Sequence, residues 1–422
     1  MIYANKIYNA PYKILSIDFL SDFEDNYSDE ILLEITLGAG TYANNIYPFK
    51  EDIEIILAKT PLNEVDDNID TTQKPQTERY RATLIDTGNP IIEANSSFSP
   101  TMTQLDIANL ITVKFQLVNK ALEQLRMISV GSIFRNGTVG DVIKSSLTQA
   151  SQTIVVDGKR AIKGVDVIEP ISNNTPRSHI VIPQGIPLVQ LPQYIHEKCG
   201  GVYSSGLGYY LQGDYWYVYP CYDCTRFNSA KKTVTIINVP KNKLPGIERT
   251  YRLTGDNLVI LATGSVKFKD NSEVEMLNKG NGVRYADANN FVTGFATTAN
   301  NKTTASRALN NSEYVSVKRL TGNNNVPVSS NPINANSFYE ASKLAVRQGS
   351  MIDLEWENSN QTLIFPGMMV KILYIDDTEI KKIYGVMLKA HHYTAAKGQG
   401  QKTTRYISHS VLSIFINRVG TS

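Results

Sequence analysis

The sequence predicts a β-rich α+β fold, and three features carry that expectation. Apolar and polar residues alternate with a period of two through the first 118 residues and again after residue 229. Between them, 119–228 switches to helical spacing behind capping residues, and 271–332 is dense in Asn, Gly, Thr and Ser. A chain of 422 residues exceeds one core, and about 150 residues per domain gives roughly three domains as a prior.

In chain order, alternation puts successive side chains on opposite faces at Ile31, Leu33, Ile35 and Leu37, at Ile53, Ile55 and Leu57, and at Tyr80, Ala82 and Leu84. Ile111, Val113, Phe115 and Leu117 continue it, opposed by Thr112, Lys114 and Gln116. The first 118 residues therefore predict one antiparallel barrel or sandwich, with the polar stretch Pro61 to Pro75 as a long loop and candidate contact surface. Asn119 caps a short helix carrying Leu122, Leu125 and Ile128, and Thr138 with Asp141 caps a second whose stripe is Val139, Val142, Ile143 and Leu147. Pro187 to Cys199 is a third helix, weakened or kinked by Pro192 and stopped by Gly200-Gly201. A hairpin follows, Tyr209-Tyr210-Leu211, then Gln212-Gly213-Asp214, then Tyr215 to Tyr219.

Strands resume at Val234 and Ile236, at Thr250 to Leu253 and at Leu258 to Ala262. After the Asn-rich stretch, Asn336 or Ser337 caps a helix with stripe Phe338, Ala341, Leu344 and Ala345. Ile352, Leu354 and Trp356, then Val370, Ile372 and Tyr374, then Tyr384, Val386 and Leu388, then Ile407 to Phe415 end the chain in strands. No internal repeat is visible.

Charge and composition exclude several functions. Lys plus Arg number 42 against 40 Asp plus Glu, so no sustained positive field exists to hold nucleic-acid phosphates. The longest apolar runs, such as Leu258 to Thr263 and Val411 to Asn417, fall far short of the roughly 20 residues of a spanning helix. The N-terminus lacks a basic region followed by an apolar stretch, which predicts a protein made and kept in a cytoplasm. Three cysteines cannot build a disulfide framework in a chain this long.

The spacing best suited to a metal is His196-x-x-Cys199 with Cys221-x-x-Cys224, two close pairs able to converge on zinc. Plain burial is preferred, because Cys199 ends an amphipathic helix and Cys221 continues the face of Tyr215, Tyr217 and Tyr219. Cys221 and Cys224 also lack the βαβ context of a redox pair. His391 and His392 are adjacent on a strand, so their rings point to opposite faces and cannot chelate one ion. His179 and His409 have no partner at motif spacing. Gly131-Ser132-Ile133 and Gly206-Leu207-Gly208 lack phosphate-loop spacing and read as turns. The acidic run Asp22 to Glu30 reads as a solvated loop, with a partner or pore contact as the alternative, and the tyrosine clusters read as packing rather than a sugar platform.

Two passages resemble a known family. The first is Thr138-Val139-Gly140-Asp141-Val142-Ile143, then Ile182-Pro183-Gln184-Gly185-Ile186-Pro187-Leu188, the helix to Cys199 and the hairpin ending Trp216-Tyr217-Val218-Tyr219-Pro220. The second is Pro366-Gly367-Met368-Met369-Val370-Lys371-Ile372-Leu373-Tyr374 followed by Tyr384-Gly385-Val386-Met387-Leu388. In order and spacing these resemble the central hub proteins of contractile-tailed phage baseplates, related to the hub half of type VI secretion spike proteins. The stretch Asn300 to Pro332 and the Cys pairs depart from that pattern.

The resemblance implies two small tube-like antiparallel β-barrels, 1–118 and 229–265 with 350–422, an α+β unit between them at 119–228, and a loop-rich insertion at 266–349. It also implies a homotrimer whose six barrels let a threefold spike meet a sixfold tail tube, in the tail baseplate of a virion assembled in the host cytoplasm. Implied partners are tail tube or tube-initiator proteins, the central spike, baseplate wedge proteins and a tape measure protein, with no membrane in the resting particle. No catalytic, cofactor-binding or metal-binding residue is carried over. The competing expectations are a carbohydrate- or receptor-binding tail protein, tested by glycan binding, and a zinc-binding enzyme built on the Cys pairs, tested by stoichiometric zinc.

Overall fold

A computed structural model of the chain describes residues 1–59, 76–86, 110–170, 173–244, 249–264, 269–270, 282–287, 313–318, 339, 342, 345–346, 349–376, 379–397 and 405–417. Most strands belong to one large, curled mixed sheet that runs through both ends of the chain.

The N-terminal part is a run of seven antiparallel strands. β1 (Ile2–Ala4) and β2 (Ile7–Asn9) form a hairpin over Asn5 and Lys6, both at positive φ (49° and 61°), the geometry that matches strand twist in a two-residue turn. β3 (Lys13–Asp22), β4 (Glu30–Gly38), β5 (Ile53–Lys59), β6 (Gln76–Asp86) and β7 (Leu110–Asn119) complete the order β3-β4-β7-β6-β5-β1-β2. Alternation in β4 buries Ile31, Leu33, Ile35 and Leu37 inside the curl, against Val113, Phe115 and Leu117 of β7 and Ile53 and Ile55 of β5. Helical turns over 39–52 add Tyr42 and Ile46 to this core.

The middle part is the expected α+β unit. α1 (Lys120–Arg126) is capped by the Asn119 side chain, which accepts from Ala121 N–H at 2.8 Å. It ends before Ile128, so only Leu122 and Leu125 of the expected stripe lie on the helix. β8 (Ser129–Gly137) leads into α2 (Val139–Ser151), whose Thr138 hydroxyl oxygen accepts from Asp141 N–H at 3.1 Å and whose O–H donates to the Asp141 carboxylate at 2.7 Å. Thr138→Ala is expected to cost about 1 kcal/mol, read as a shift in urea midpoint with unchanged slope. The short hairpin β9 (Val155–Val156) and β10 (Lys159–Arg160) precedes β11 (Gly164–Val167) and β12 (Arg177–Pro187). α3 (Leu191–Lys198) holds Pro192 in its first turn, where the missing N–H costs nothing, so the expected kink does not occur. Gly200 and Gly201, at φ 95° and 87°, end it. β13 (Leu207–Gln212) and β14 (Tyr215–Pro220) turn at Gly213-Asp214 and join β11 in a three-stranded sheet, while β8 and β12 form a separate two-stranded ribbon. Gly131-Ser132-Ile133 lies inside β8, paired with β12, rather than in a turn; glycine is needed there because a Cβ at Gly131 would meet Gln184 Cα at 2.7 Å across the ribbon.

The C-terminal part begins with β15 (Thr233–Asn238), β16 (Tyr251–Thr254), β17 (Asn257–Ala262) and β18 (Lys269–Asp270). β19 (Gly282–Asp287) and β20 (Glu313–Lys318) pair in parallel apart from the large sheet. β21 (Gly349–Glu357), β22 (Met369–Asp376), β23 (Glu379–Lys397) and β24 (Arg405–Asn417) return to it. β15 runs parallel to both β17 and β22, which corrects the expectation of purely antiparallel strands here. The path β17-β15-β22-β23-β24-β21 comes back to its start, since Thr263 and Glu355 exchange two backbone hydrogen bonds of 2.8 Å. Trp356, fully buried, fills the interior and donates its indole N–H to Thr250 Oγ1 at 2.9 Å. Of the expected Phe338-to-Ala345 helix stripe, Ala345 is described and buried, while Phe338, Ala341 and Leu344 lie outside the described residues.

At 19 residues, β23 is long enough to serve both ends of the chain. Its first half pairs with β22, and Lys389 to Ala395 pair with Asp22 to Ser16 of β3. This single strand makes the N- and C-terminal parts one continuous sheet.

Candidate functional site

The acidic run Asp22 to Glu30 leads from β3 to β4, where the three parts meet. Only its tip, Asp25 and Asn26, is exposed; the rest is buried or half-buried, which corrects the expectation of a solvated loop. Phe23 is 0% exposed and packs edge-on against Tyr210 of β13, with ring centroids 5.0 Å apart. Its N–H donates to Leu388 O of β23 at 2.8 Å, and its carbonyl accepts from the Tyr219 hydroxyl of β14 at 2.6 Å. One residue therefore touches all three parts of the chain.

The acidic neighbours of Phe23 are each used locally. Asp22 accepts from the backbone N–H of Glu24 and Asp25 at 3.2 and 3.1 Å, which shapes the turn, and from Lys389 Nζ at 2.5 Å. Glu24 accepts from the Tyr222 hydroxyl. Asp29 accepts from Ser21 at 2.6 Å and Tyr210 at 2.8 Å. Ser28 bridges to Leu211, and Tyr27 O accepts from Leu211 N–H at 2.7 Å. Burial raises the Glu24 carboxyl above its ordinary value, and it pushes the Tyr210 and Tyr219 phenols far above theirs, so both tyrosines stay protonated donors at any physiological pH. Tyr219→Phe leaves the buried Phe23 carbonyl without this donor and is expected to cost about 1–3 kcal/mol in denaturant titrations.

The tyrosine-rich hairpin is thus packing, directed between parts of the chain. Tyr210 and Tyr219 belong to the core shared with the C-terminal strands, while Tyr209 and Trp216 belong to the middle core. Beside the junction lies a cleft of about 320 Å³, whose lining includes Asp29, Glu78, Tyr80, Gln212, Tyr217 and Phe365. No histidine or cysteine is among its described lining residues.

The structure does not bring His196, Cys199, Cys221 and Cys224 together. His196 is buried, its Nδ1 accepting from Val202 N–H and its Nε2 facing Ser342 Oγ, both at 2.9 Å. Cys221 sits in the C-terminal core and Cys224 faces Phe415 O at 3.7 Å. Burial raises the thiols of Cys199, Cys221 and Cys224, that of Cys224 to about 12, so none is a reactive thiolate near neutral pH. Among the described residues no group of three His, Cys, Asp or Glu side chains forms a metal cage.

His391 and His392 lie on opposite faces, as alternation requires. His391 meets Asp18 on the outer surface. His392 is buried with its Nδ1 at 2.8 Å from Ser410 Oγ and 3.0 Å from Ser359 Oγ. The junction is not legible in the sequence, because each acidic residue in it is locally ordinary; the one signal for it is Phe23, a large apolar side chain inside an acidic run. Among the described residues, no helix is long and apolar enough to cross a membrane.

No protein-family model matches the sequence, and no curated protein matches it. Among solved structures, the chain is similar to a tail protein from Neisseria meningitidis MC58, at 12% identity and TM-score 0.45, over 98% of this chain and 95% of that one. The 43 kDa tail protein of prophage MuSo2 from Shewanella oneidensis follows at 12% identity and TM-score 0.44, over 98% and 95%. An E. coli component of the type VI secretion system, itself described as similar to T4 bacteriophage tail proteins, gives 8% identity and TM-score 0.42, over 98% and 76%. The first two are described as tail proteins, the second of a prophage, and the third as a type VI secretion component.

Proposed function

We propose that the chain is a structural virion protein, the central hub of a phage tail baseplate, acting as a homotrimer that adapts a sixfold tail tube to a threefold spike. The observation that carries this reading is the β23–β3 seam, which joins the N- and C-terminal strands in one curled sheet. Two similar units per chain turn a threefold ring into six near-equivalent positions without a second gene product. In this reading the units are two small barrels, 1–118 and 229–265 with 350–422, the α+β unit is 119–228, and 266–349 is an insertion into the second barrel.

The ends of the long strand path support association. Among the described residues β2 and β16 each have one neighbour in the path, and Ile7 and Tyr8 on β2 and Leu253 on β16 are exposed. Outer strands of this kind are commonly covered by another chain. The protein would work through geometry rather than catalysis, meeting the tube or tube initiator on one side and the spike on the other, with wedge and tape measure proteins around it in the virion tail. Light scattering on the pure chain, alone and with its spike, is expected to give the trimer mass. A species that stays monomeric and ignores the spike sinks the reading.

A further inference from the structure

The ribbon formed by β8 and β12 stands out from the middle part of the chain. Among the described residues neither strand pairs with any other. One face is used, since Ile180 and Ile182 are buried in the middle core. On the other face Ile133 and Val181 sit directly opposite each other, 61% and 53% exposed, and Met127 just before β8 is 85% exposed. Arg135 and His179, also paired across the ribbon, are exposed beside them.

The two edges differ. β12 is interrupted by Pro183, which has no N–H, by Gly185 at φ 97°, and by a register shift between Ile182 and Ile186, three features that block strand addition. β8 has none of them between Ser129 and Arg135. Its backbone is therefore the edge able to receive another strand.

Charge selects the occupant. Neither 129–137 nor 177–187 contains an Asp or Glu, whereas Arg135, Arg177 and His179 are present. A second ribbon of the same kind would bring like charges together. The chain does carry the complement: 61–73, outside the described residues, contains Glu64, Asp66, Asp67 and Asp70 and no Lys or Arg. In strand alternation Val65, Asp67 and Ile69 share a face, two residues apart like Ile133 and Arg135, so that Asp67 falls beside Arg135 when Val65 or Ile69 falls beside Ile133.

We propose that the β8 edge receives the 61–73 segment of a second copy of this chain by strand addition, giving a head-to-tail contact. It rests on the oligomeric reading above and names one of its contacts. Such a heterologous contact closes a ring only if its rotation does, as a threefold arrangement allows.

Sedimentation velocity of the full-length chain tests it, with the spike present if assembly needs it. Arg135→Glu and Asp67→Lys are each expected to weaken self-association about tenfold, and the pair together to recover most of the loss. Assembly that ignores both single variants, or losses that simply add in the double variant, overturns the contact and leaves the hub reading standing. A fluorescein-labelled 61–73 peptide, followed by anisotropy on the full chain, makes the test independent of assembly. It is expected to bind, and to lose at least about tenfold in affinity when alternate backbone nitrogens are methylated, because methylation removes strand hydrogen bonds but no charge. Equal binding of the methylated peptide, or no binding of the parent peptide, overturns strand addition. Binding by a chain that never assembles upholds the edge and sinks the hub reading instead.

Discussion

Phe23→Ala is expected to destabilise the chain by about 3–5 kcal/mol, the range for removing a fully buried aromatic side chain. The site is poorly placed to relax, because its walls are Tyr210 and Tyr219, held by hydrogen bonds to Asp29 and to the Phe23 carbonyl itself. The consequence should extend beyond the local cavity. Phe23 is where the β3 end, the β13–β14 hairpin and β23 converge, so its loss should loosen the seam between Ser16 to Asp22 and Lys389 to Ala395 before the separate cores melt. Two measurements check this: a guanidinium titration, and hydrogen exchange at the seam amides. Lys144→Ala, at an exposed position on α2, serves as the control and should shift stability by less than about 0.5 kcal/mol. A single unchanged transition with unchanged seam protection would mean that the junction does not couple the parts.

The second large effect is acid sensitivity at His196. Burial lowers its pKa to about 4, against an ordinary value of about 6.5. The geometry explains why the neutral ring is required. Nδ1 already accepts from Val202 N–H, so a proton there would set two donors against each other, and Nε2–H is left to donate to Ser342 Oγ. Since the folded value lies below the unfolded one, the unfolded chain takes up the proton first. The stabilisation is fully present above about pH 6.5 and is lost as pH falls toward about 4, roughly 3 kcal/mol in all. The first contact to go should be the docking of Tyr339 and Ser342 on α3, where Tyr339 also packs edge-on to the His196 ring. Urea midpoints measured from pH 7 to pH 4 should fall more steeply for the native chain than for His196→Gln. Parallel curves would remove the proposed linkage.

Much of the architecture was legible because alternation and capping are local. Ile31, Leu33, Ile35 and Leu37 are buried as their spacing requires, and Thr138 caps α2 through the same two groups that the sequence displays. The opposite fates of His391 and His392 follow from adjacency on a strand alone. Where the expectation failed, a distant partner decided the outcome. Nothing near Asp22 to Glu30 announces Tyr210, Tyr219, Tyr222 or Lys389, which lie 181 to 367 residues from their partners in the run. Charge pattern alone makes such a run look solvated; Phe23 and three distant tyrosines anchor it, leaving only Asp25 and Asn26 exposed. The parallel pairing of β15 and the reach of β23 across two units are likewise invisible to periodicity, because a period of two is the same for either direction and for any neighbour.

The amino-acid sequence by itself determined many of the strands and the capped helices, which of their faces are apolar, and that it carries neither a strong net charge nor an apolar run of membrane-spanning length. Only the tertiary structure decided which strands are neighbours, that both ends of the chain share one sheet, and that an acidic turn is the joint between its parts. The physical reason is that side-chain direction is set by a residue's own backbone, whereas pairing and the burial of charge are set by groups hundreds of residues away.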